Sequence, residues 1–291
     1  MRNETNTARK RRVRVIPILL LLFIITTAAI LVDSNLRIVT TEYEIGFTNL
    51  PTGFDGYRII VLSDIHAAQY GENNAKLLSM VIEAQPDIIA ITGDLIDGNK
   101  EPLPEEQLKI AETLALELTR VAPVYYITGN HDWDSGIIRT LLPLLTGCGV
   151  DVLRNTYTTL ESGGDRIILA GVDDPNGPAD MIKPDELIGR IRKGAIDDFI
   201  VLLEHRNYNL SRNSELGIDL VISGHAHGGI IRLPFTDGLF GSQRDLFPTY
   251  TNGVYSMGGT KALVSRGVGN HTGLPRFLNN SEIVVAILRK T

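Results

Sequence analysis

Cysteine is nearly absent from this 291-residue chain, with Cys148 standing alone. One thiol cannot close a disulfide within the chain or build a cysteine-rich zinc or iron–sulfur site. Any metal site must therefore draw on His, Asp, Glu and Asn, a nitrogen-and-oxygen donor set suited to Mn, Fe, Zn, Ni or Co. No His-Glu-x-x-His segment occurs, which argues against a zinc peptidase of that kind. Internal repeats and low-complexity linkers are missing as well. Beyond residue 32 the chain is short of positive charge, with 22 basic against 33 acidic residues. That balance argues against nucleic acid held on a broad basic surface. What is present in quantity, 43% hydrophobic and 21% charged residues, is the mix of an ordered globular protein rather than a disordered one.

Long apolar runs are also scarce, and the single exception is at the N-terminus. Val15 to Val32 (VIPILLLLFIITTAAILV) carries no charge for 18 residues, and six cations precede it: Arg2, Arg9, Lys10, Arg11, Arg12 and Arg14. Eighteen residues lie near the lower limit for crossing a bilayer, about 17–25. A buried core helix would not explain the flanking cations. A cleaved signal peptide needs a small-residue cleavage site, for which Thr-Ala-Ala-Ile is poor, and Arg11-Arg12 leaves a twin-arginine signal open. An uncleaved signal anchor over 15–32 fits best. The positive-inside rule then puts residues 1–14 in the cytoplasm and the body, 36–291, outside the cell membrane.

Past the anchor, short apolar runs alternate with helical patterns. A β-rich stretch covers Leu36–Phe47. The runs at 57–63, 87–92, 124–128, 199–203 and 219–223, rich in Ile and Val and followed by Gly, Asp or Glu, read as buried strands. Residues 74–84, 105–119, 137–145 and 185–192 carry helical spacing. Strands return at 230–233, 262–265 and 282–288, and Gly and Pro mark loops at 171–178 and 234–248. This alternation predicts an α/β domain.

Five of the six histidines follow those strands: His66, His131, His205, His225 and His227. Ligands of open α/β sheets gather at the carboxyl ends of strands. Five strand ends would thus bring Asp64, His66, Asp94, Asn130, His131, His205, His225 and His227 to one face. Taken singly, each has an ordinary explanation. Asp64, Asp94 and Asn130 suit turns, and a lone His205 would more often be a satisfied core histidine. Gly224-His225-Ala226-His227-Gly228-Gly229 is more specific, because two imidazoles on a glycine-flanked loop can address two metals.

The series Asp64-Ile65-His66, Gly93-Asp94, Gly129-Asn130-His131-Asp132, His205 and Gly224-His225-Ala226-His227 resembles the calcineurin-like metallophosphoesterase family. Gly171-Val-Asp-Asp-Pro175, Arg232-Leu-Pro234 and Ser265-Arg266-Gly267 resemble its membrane-anchored bacterial YkuE/YaeI-type branch. The resemblance spans about residues 36–291. It implies a four-layer α-β-β-α sandwich with metals at strand ends. Asp64, His66, Asp94 and His227 would hold one divalent metal ion, and Asp94, Asn130, His205 and His225 a second. A hydroxide bridging the two metals would be the nucleophile, and His131 would stabilise or protonate at the phosphate. Asp97 and Asp132 are expected to orient imidazoles, and Arg266 and His271 to reach substrate. The substrate is expected to be a phosphate ester, a diester before a monoester, on a small molecule or a lipid-linked or envelope compound. A non-catalytic binder of a phosphorylated ligand is the alternative, although no ligand position is lost. Arg206-Asn207 after His205 and Ile230 after Gly229 depart from the family pattern and bear on the substrate pocket.

Overall fold

A strand covered on both faces needs apolar residues at every position, and this chain supplies such runs twice over. The computed structural model describes residues 2–97, 103–178, 183–194, 197–242, 245–270 and 273–291, with side chains from residue 15 onward. After helix α1 (Arg2–Leu36) come strands β1 (Ile38–Phe47), β2 (Arg58–Leu62), β3 (Ile88–Thr92), β4 (Val124–Ile127) and β5 (Asp151–Val152), with helices α2 (Ala75–Glu83), α3 (Pro104–Thr119), α4 (Asn130–Asp134) and α5 (Ile138–Gly147) between them. The second half holds β6 (Thr156–Ser162), β7 (Asp165–Gly171), α6 (Pro184–Gly194), β8 (Ile200–Leu203), α7 (Leu210–Glu215), β9 (Leu220–Ser223), β10 (Gly253–Met257), β11 (Thr260–Val264) and β12 (Ser281–Lys290).

Two mixed six-stranded sheets form, in the orders β1-β12-β2-β3-β4-β5 and β10-β11-β9-β8-β7-β6. Their inner faces meet in one apolar layer. Ile59, Val61, Ile88, Ala90 and Ile127 of the first sheet pack with Ile167, Leu169, Val201, Leu203 and Ile222 of the second. The alternate residues point outward under helices. Ile60, Leu62, Ile89 and Ile91 lie beneath Leu77 and Val81 of α2, Leu114 and Leu118 of α3 and Leu141 of α5. Ile168, Ala170, Ile200 and Leu202 lie beneath Leu187, Ile188 and Ile191 of α6 and Leu210 of α7. The result is the four-layer α-β-β-α sandwich, and it explains why these strands read as continuous rather than alternating apolar runs.

The expected strand at 230–233 is not one. Ile231 makes a single isolated bridge to Phe277, and the segment belongs to a long excursion between β9 and β10. Strands β5, β6, β7 and β10 went unpredicted. Both β6 and β10 are sheet edges with partly exposed, polar-rich sequences.

The apolar part of α1, Val15–Leu36, is long and apolar enough to cross a membrane; its apolar 18-residue window is not buried against the body, and burial begins at Ser34 in the last turn. At about 1.5 Å per residue it spans about 33 Å, against about 30 Å for a hydrocarbon core. Its last turn is tied to the body. Asn35 exchanges hydrogen bonds with the Arg276 backbone, Nδ2 to the carbonyl at 2.8 Å and N–H to Oδ1 at 2.9 Å. Asn280 Nδ2 donates to Asp33 O at 2.8 Å.

Leu169 is fully buried between the sheets. Leu169→Ala is expected to lower unfolding free energy by about 2–5 kcal/mol, as large-to-small core changes do. Urea denaturation of the solubilised chain checks this, and a loss well under 1 kcal/mol would mean that this layer is not closely packed.

Candidate metal centre

Five loops at the carboxyl ends of β2, β3, β4, β8 and β9 converge on one point. They carry Asp64 and His66, Asp94, Asn130 and His131, His205, and His225 with His227. Two donor triads lie side by side, Asp64–His66–His227 and Asp94–His205–His225. In each, the ligand atoms fall within 4.8 Å of one another. Asp64 Oδ1 is 3.4 Å from His227 Nε2, and the His66 and His227 rings stack with centroids 5.2 Å apart. His205 Nε2 lies 3.1 Å from Asn130 Oδ1, 3.2 Å from Asp94 Oδ2 and 3.2 Å from His225 Nδ1. Asp94 Oδ2 stands between the triads, 3.8 Å from His66 Nε2 on its other side. It is buried and accepts no well-formed hydrogen bond.

The backbone is bent out of its ordinary range to do this. Asp64, His66, Ala67, Asp94, His225 and His227 all have φ between 46° and 66°. A non-glycine residue held there costs about 1–3 kcal/mol, and such strain collects at functional sites. Each left-handed residue turns its chain sharply at the strand end. Glycine is required where two such turns touch. A Cβ on Gly93, with φ of +91°, would come within 2.7 Å of both Gly129 N and His205 Nδ1. A Cβ on Gly224 would lie 1.7 Å from Ser63 Oγ.

The two acids expected to orient imidazoles divide. Asp97 Oδ1 is 2.9 Å from His131 Nδ1 and 3.9 Å from His66 Nδ1. Asp132 instead gathers backbone: it accepts from the N–H groups of Asp94 (2.7 Å), Leu95 (3.0 Å), Ile96 (3.2 Å) and Gly129 (2.8 Å). It thereby fastens the turn after β3 to the turn after β4. His205 is fixed from behind, its Nδ1 lying 2.8 Å from the Thr92 carbonyl. That contact suits an Nδ1–H donor and leaves Nε2 as the ligand nitrogen.

Burial opposes charge on all of these groups, and proximity settles the outcome. Burial opposes the Asp94 charge, but His205 more than offsets it, with help from His66 and His131, and holds the carboxyl well below its usual range. Burial likewise opposes charge on His205, yet the Asp94 carboxylate pushes its pKa up to about 10. Burial and the His205 charge drive His225 down to about 2. Burial raises Asp64, and burial with the Asp94 charge raises Asp132 to about 7. Carboxylates and imidazoles packed this closely are poorly served by protons alone. A buried nitrogen-and-oxygen cage with an unsatisfied oxygen at its centre fits divalent cations.

Asn130, His131, Arg206 and His225 are half-buried and Tyr208 is exposed, which puts the mouth of the site on their side. Arg206 holds Asp174 in a two-pronged pair, Nε to Oδ2 at 2.7 Å and Nη2 to Oδ1 at 2.8 Å, and also reaches Asn176 Oδ1 at 2.9 Å and Tyr208 Oη at 3.0 Å. This wall was visible in the sequence only as an unusual residue after His205. Arg266, expected to reach substrate, is held in an ion pair. Its guanidinium meets buried Glu282 at 2.6 Å, and its carbonyl accepts from Arg276 at 2.7 Å. His271 lies outside the described residues.

Residues 57–229 match the family model described as calcineurin-like phosphoesterase. The chain belongs to that family. It is 34% identical to the uncharacterized metallophosphoesterase YkuE of Bacillus subtilis (strain 168), over 87% of this chain and 86% of that one. It is 31% identical to a transmembrane protein with metallophosphoesterase domain of Danio rerio, over 86% of this chain but 57% of that one. Among solved structures it is similar to the NAD nucleotidase NadN of Haemophilus influenzae, at 16% identity and a TM-score of 0.49, over 72% of this chain and 45% of that one. Membership of the calcineurin-like phosphoesterases makes the chain a metal-dependent hydrolase of phosphate esters, with the clustered His, Asp and Asn residues as its candidate ligands.

Asp132→Asn removes the anion that ties two ligand turns together. It is expected to weaken Mn affinity by about 10–100-fold, the usual effect of losing a group that positions ligands. Titration calorimetry on the metal-depleted chain measures this, and an unchanged affinity would show that the turns hold without it.

Proposed function

We propose that the chain hydrolyses a phosphodiester with two divalent cations seated around Asp94, one among Asp64, His66, Asp94 and His227 and the other among Asp94, Asn130, His205 and His225. The observation that carries this is Asp94 Oδ2, buried, without a hydrogen bond and set between His66 Nε2 and His205 Nε2. When bound, such a metal pair supplies Lewis acidity to phosphoryl oxygens and activates water near neutral pH. The chain's own residues do the rest. Asp132 and the left-handed turns keep the carboxylates in place, and the Thr92 carbonyl keeps His205 aimed. His131 sits at the mouth with Nδ1 directed to Asp97. Its other nitrogen, Nε2, is then the one that meets a phosphate oxygen, to balance its charge or to protonate the leaving group.

The preference for a diester rests on charge at the rim. The guanidinium there, Arg206, is already neutralised by Asp174. Among the described residues at the mouth, the cations are His131 and this paired guanidinium, which suits a singly charged diester better than a doubly charged monoester. Helix α1 adds a location: a catalytic body tied to a membrane-length apolar helix is suited to lipid-linked or envelope phosphates. The N-terminal cations support an orientation with the body on the extracytoplasmic side.

The test is hydrolysis of bis(p-nitrophenyl) phosphate and p-nitrophenyl phosphate by the detergent-solubilised full chain, stripped of metal and resupplied with Mn, Fe, Zn, Ni or Co. Activity on the diester should exceed that on the monoester and vanish on chelation. His131→Gln should lower kcat by about 10²–10⁴-fold with metal content unchanged, the scale of a lost general acid. Asp94→Asn should lose both metal and activity. Hydrolysis of neither ester with any of these metals would sink the catalytic reading in favour of a phosphate-binding protein.

A further inference from the structure

The excursion between β9 and β10 leaves the metal site at His227 and returns to β10 at Gly253. It carries large apolar side chains into solvent: Leu233, Phe235, Leu246 and Phe247 are all exposed, Phe235 completely. Water gives no reason for this. Phe235 and Phe247 also have positive φ, 68° and 54°, a conformation bulky residues avoid. Strain and exposure at the same two aromatics mark them as residues fitted to something outside the chain.

The surroundings say what. The excursion is pinned to segment 273–280, where Arg232 N–H donates to Phe277 O at 2.9 Å and Ile231 bridges Phe277. That segment exposes Leu274 and Leu278. It is also the segment that grips the end of α1, through Arg276 to Asn35 and Asn280 to Asp33. Leu36, at the end of the apolar helix, is exposed beside them. Thus the apolar helix end, Leu274 and Leu278, and the Phe235–Phe247 loop belong to one hydrogen-bonded unit, and that unit begins at a metal-site histidine.

We propose that Leu233, Phe235, Leu246 and Phe247, with Leu274 and Leu278, form a second membrane contact that rests in the headgroup–acyl boundary of the bilayer crossed by α1. Aromatic and aliphatic side chains at that depth are a recognised form of interfacial anchoring. The contact seats the metal centre over the lipid surface, and so directs it to phosphodiesters whose tails stay in the membrane. This last step rests on the phosphodiesterase reading; the membrane contact itself does not.

The test places tryptophan at the loop tip. Full-length Phe235→Trp is reconstituted into phosphatidylcholine vesicles, with or without bromine on the acyl chains, which quenches only indoles that reach the hydrocarbon. The unaltered chain, with Trp133 alone, gives the baseline. Tyr157→Trp, on the sheet edge opposite β10, is the control. Bromolipid should quench Phe235→Trp well beyond both. Equal quenching in all three overturns the contact, including the case where a second copy of the chain covers the loop instead. In parallel, a chain with Phe235→Ser and Phe247→Ser is assayed on phosphatidyl-p-nitrophenol in vesicles and on bis(p-nitrophenyl) phosphate in solution. The first rate should fall by about tenfold or more, as two lost aromatic anchors imply. The second should hold, which also shows that the chain still folds. Equal rates on the vesicle substrate overturn the role in substrate presentation. Quenching without hydrolysis of either ester by the unaltered chain leaves the contact standing and removes the phosphodiesterase reading.

Discussion

Asp94 Oδ2 sits 3.2 Å from His205 Nε2 and 3.8 Å from His66 Nε2, shut away from solvent. Around it lie a second buried carboxylate, Asp64, and five more ligand-type side chains, His66, Asn130, His205, His225 and His227. Transferring so many ionisable groups from water is costly, and mutual proton sharing settles only part of the cost. The two sheets are what make the crowd possible. Their face-to-face layer is dry and closely packed, so five strand ends are held together from below without help from the polar groups above. The outer helices free the strands from any need for a solvent face. The site thus borrows its rigidity from the sandwich, and the charge it concentrates is the part left for metal ions to balance.

The same constraint accounts for the backbone around the site. A strand leaves its sheet in an extended direction, away from its neighbours. To bring Asp64, Asp94, His225 and His227 back over the sheet edge, each turn adopts left-handed φ. Asp132 offsets some of that strain by collecting four N–H groups from two turns on one carboxylate. It is therefore a carboxylate that fastens backbone, next to carboxylates placed as candidate metal ligands. Burial and the Asp94 charge press it towards the neutral form, while its backbone donors favour the ionised one.

This division explains what could be read from the chain alone. Strands β2, β3, β4, β8 and β9 were legible because burial on both faces writes an unbroken apolar run. The candidate ligands, which the structure gathers into one cluster, stood out because each follows such a run. Strands β6 and β10 were not, because an edge strand such as Thr156–Ser162 alternates and carries hydroxyls that suit a loop equally well. Ile230–Leu233 misled in the opposite sense: it is apolar, but it has one bridge to Phe277 and no sheet to join. The Arg206–Asp174 wall was invisible because its partners are 32 residues apart on loops whose meeting no local pattern announces. Asp132 carried a local signal, its place after Gly129-Asn130-His131, but its four N–H partners come from two different turns.

How the body sits relative to the apolar helix follows from the last turn of α1. A helix joined to a domain by a bare peptide link would let the domain swing, and the mouth of the site would sample many heights. Here Asn35 pairs with the Arg276 backbone as one strand residue pairs with another, and Asp33 takes Asn280. Arg276 in turn is wholly buried, donates to the carbonyls of Arg266 and Gly269 at 2.7 Å each, and lies 3.4 Å from His227 Nδ1. Its Nη2 is the nitrogen that these carbonyls hold, and moving it would leave that donor buried without a partner, as Nε and Nη1 already are. The path from helix end to metal-site imidazole therefore runs through two residues, Asn35 and Arg276, with little freedom in either. Such a joint fixes the distance between the end of the apolar helix and the candidate metal centre, so the two move as one body rather than as a domain on a loose tether.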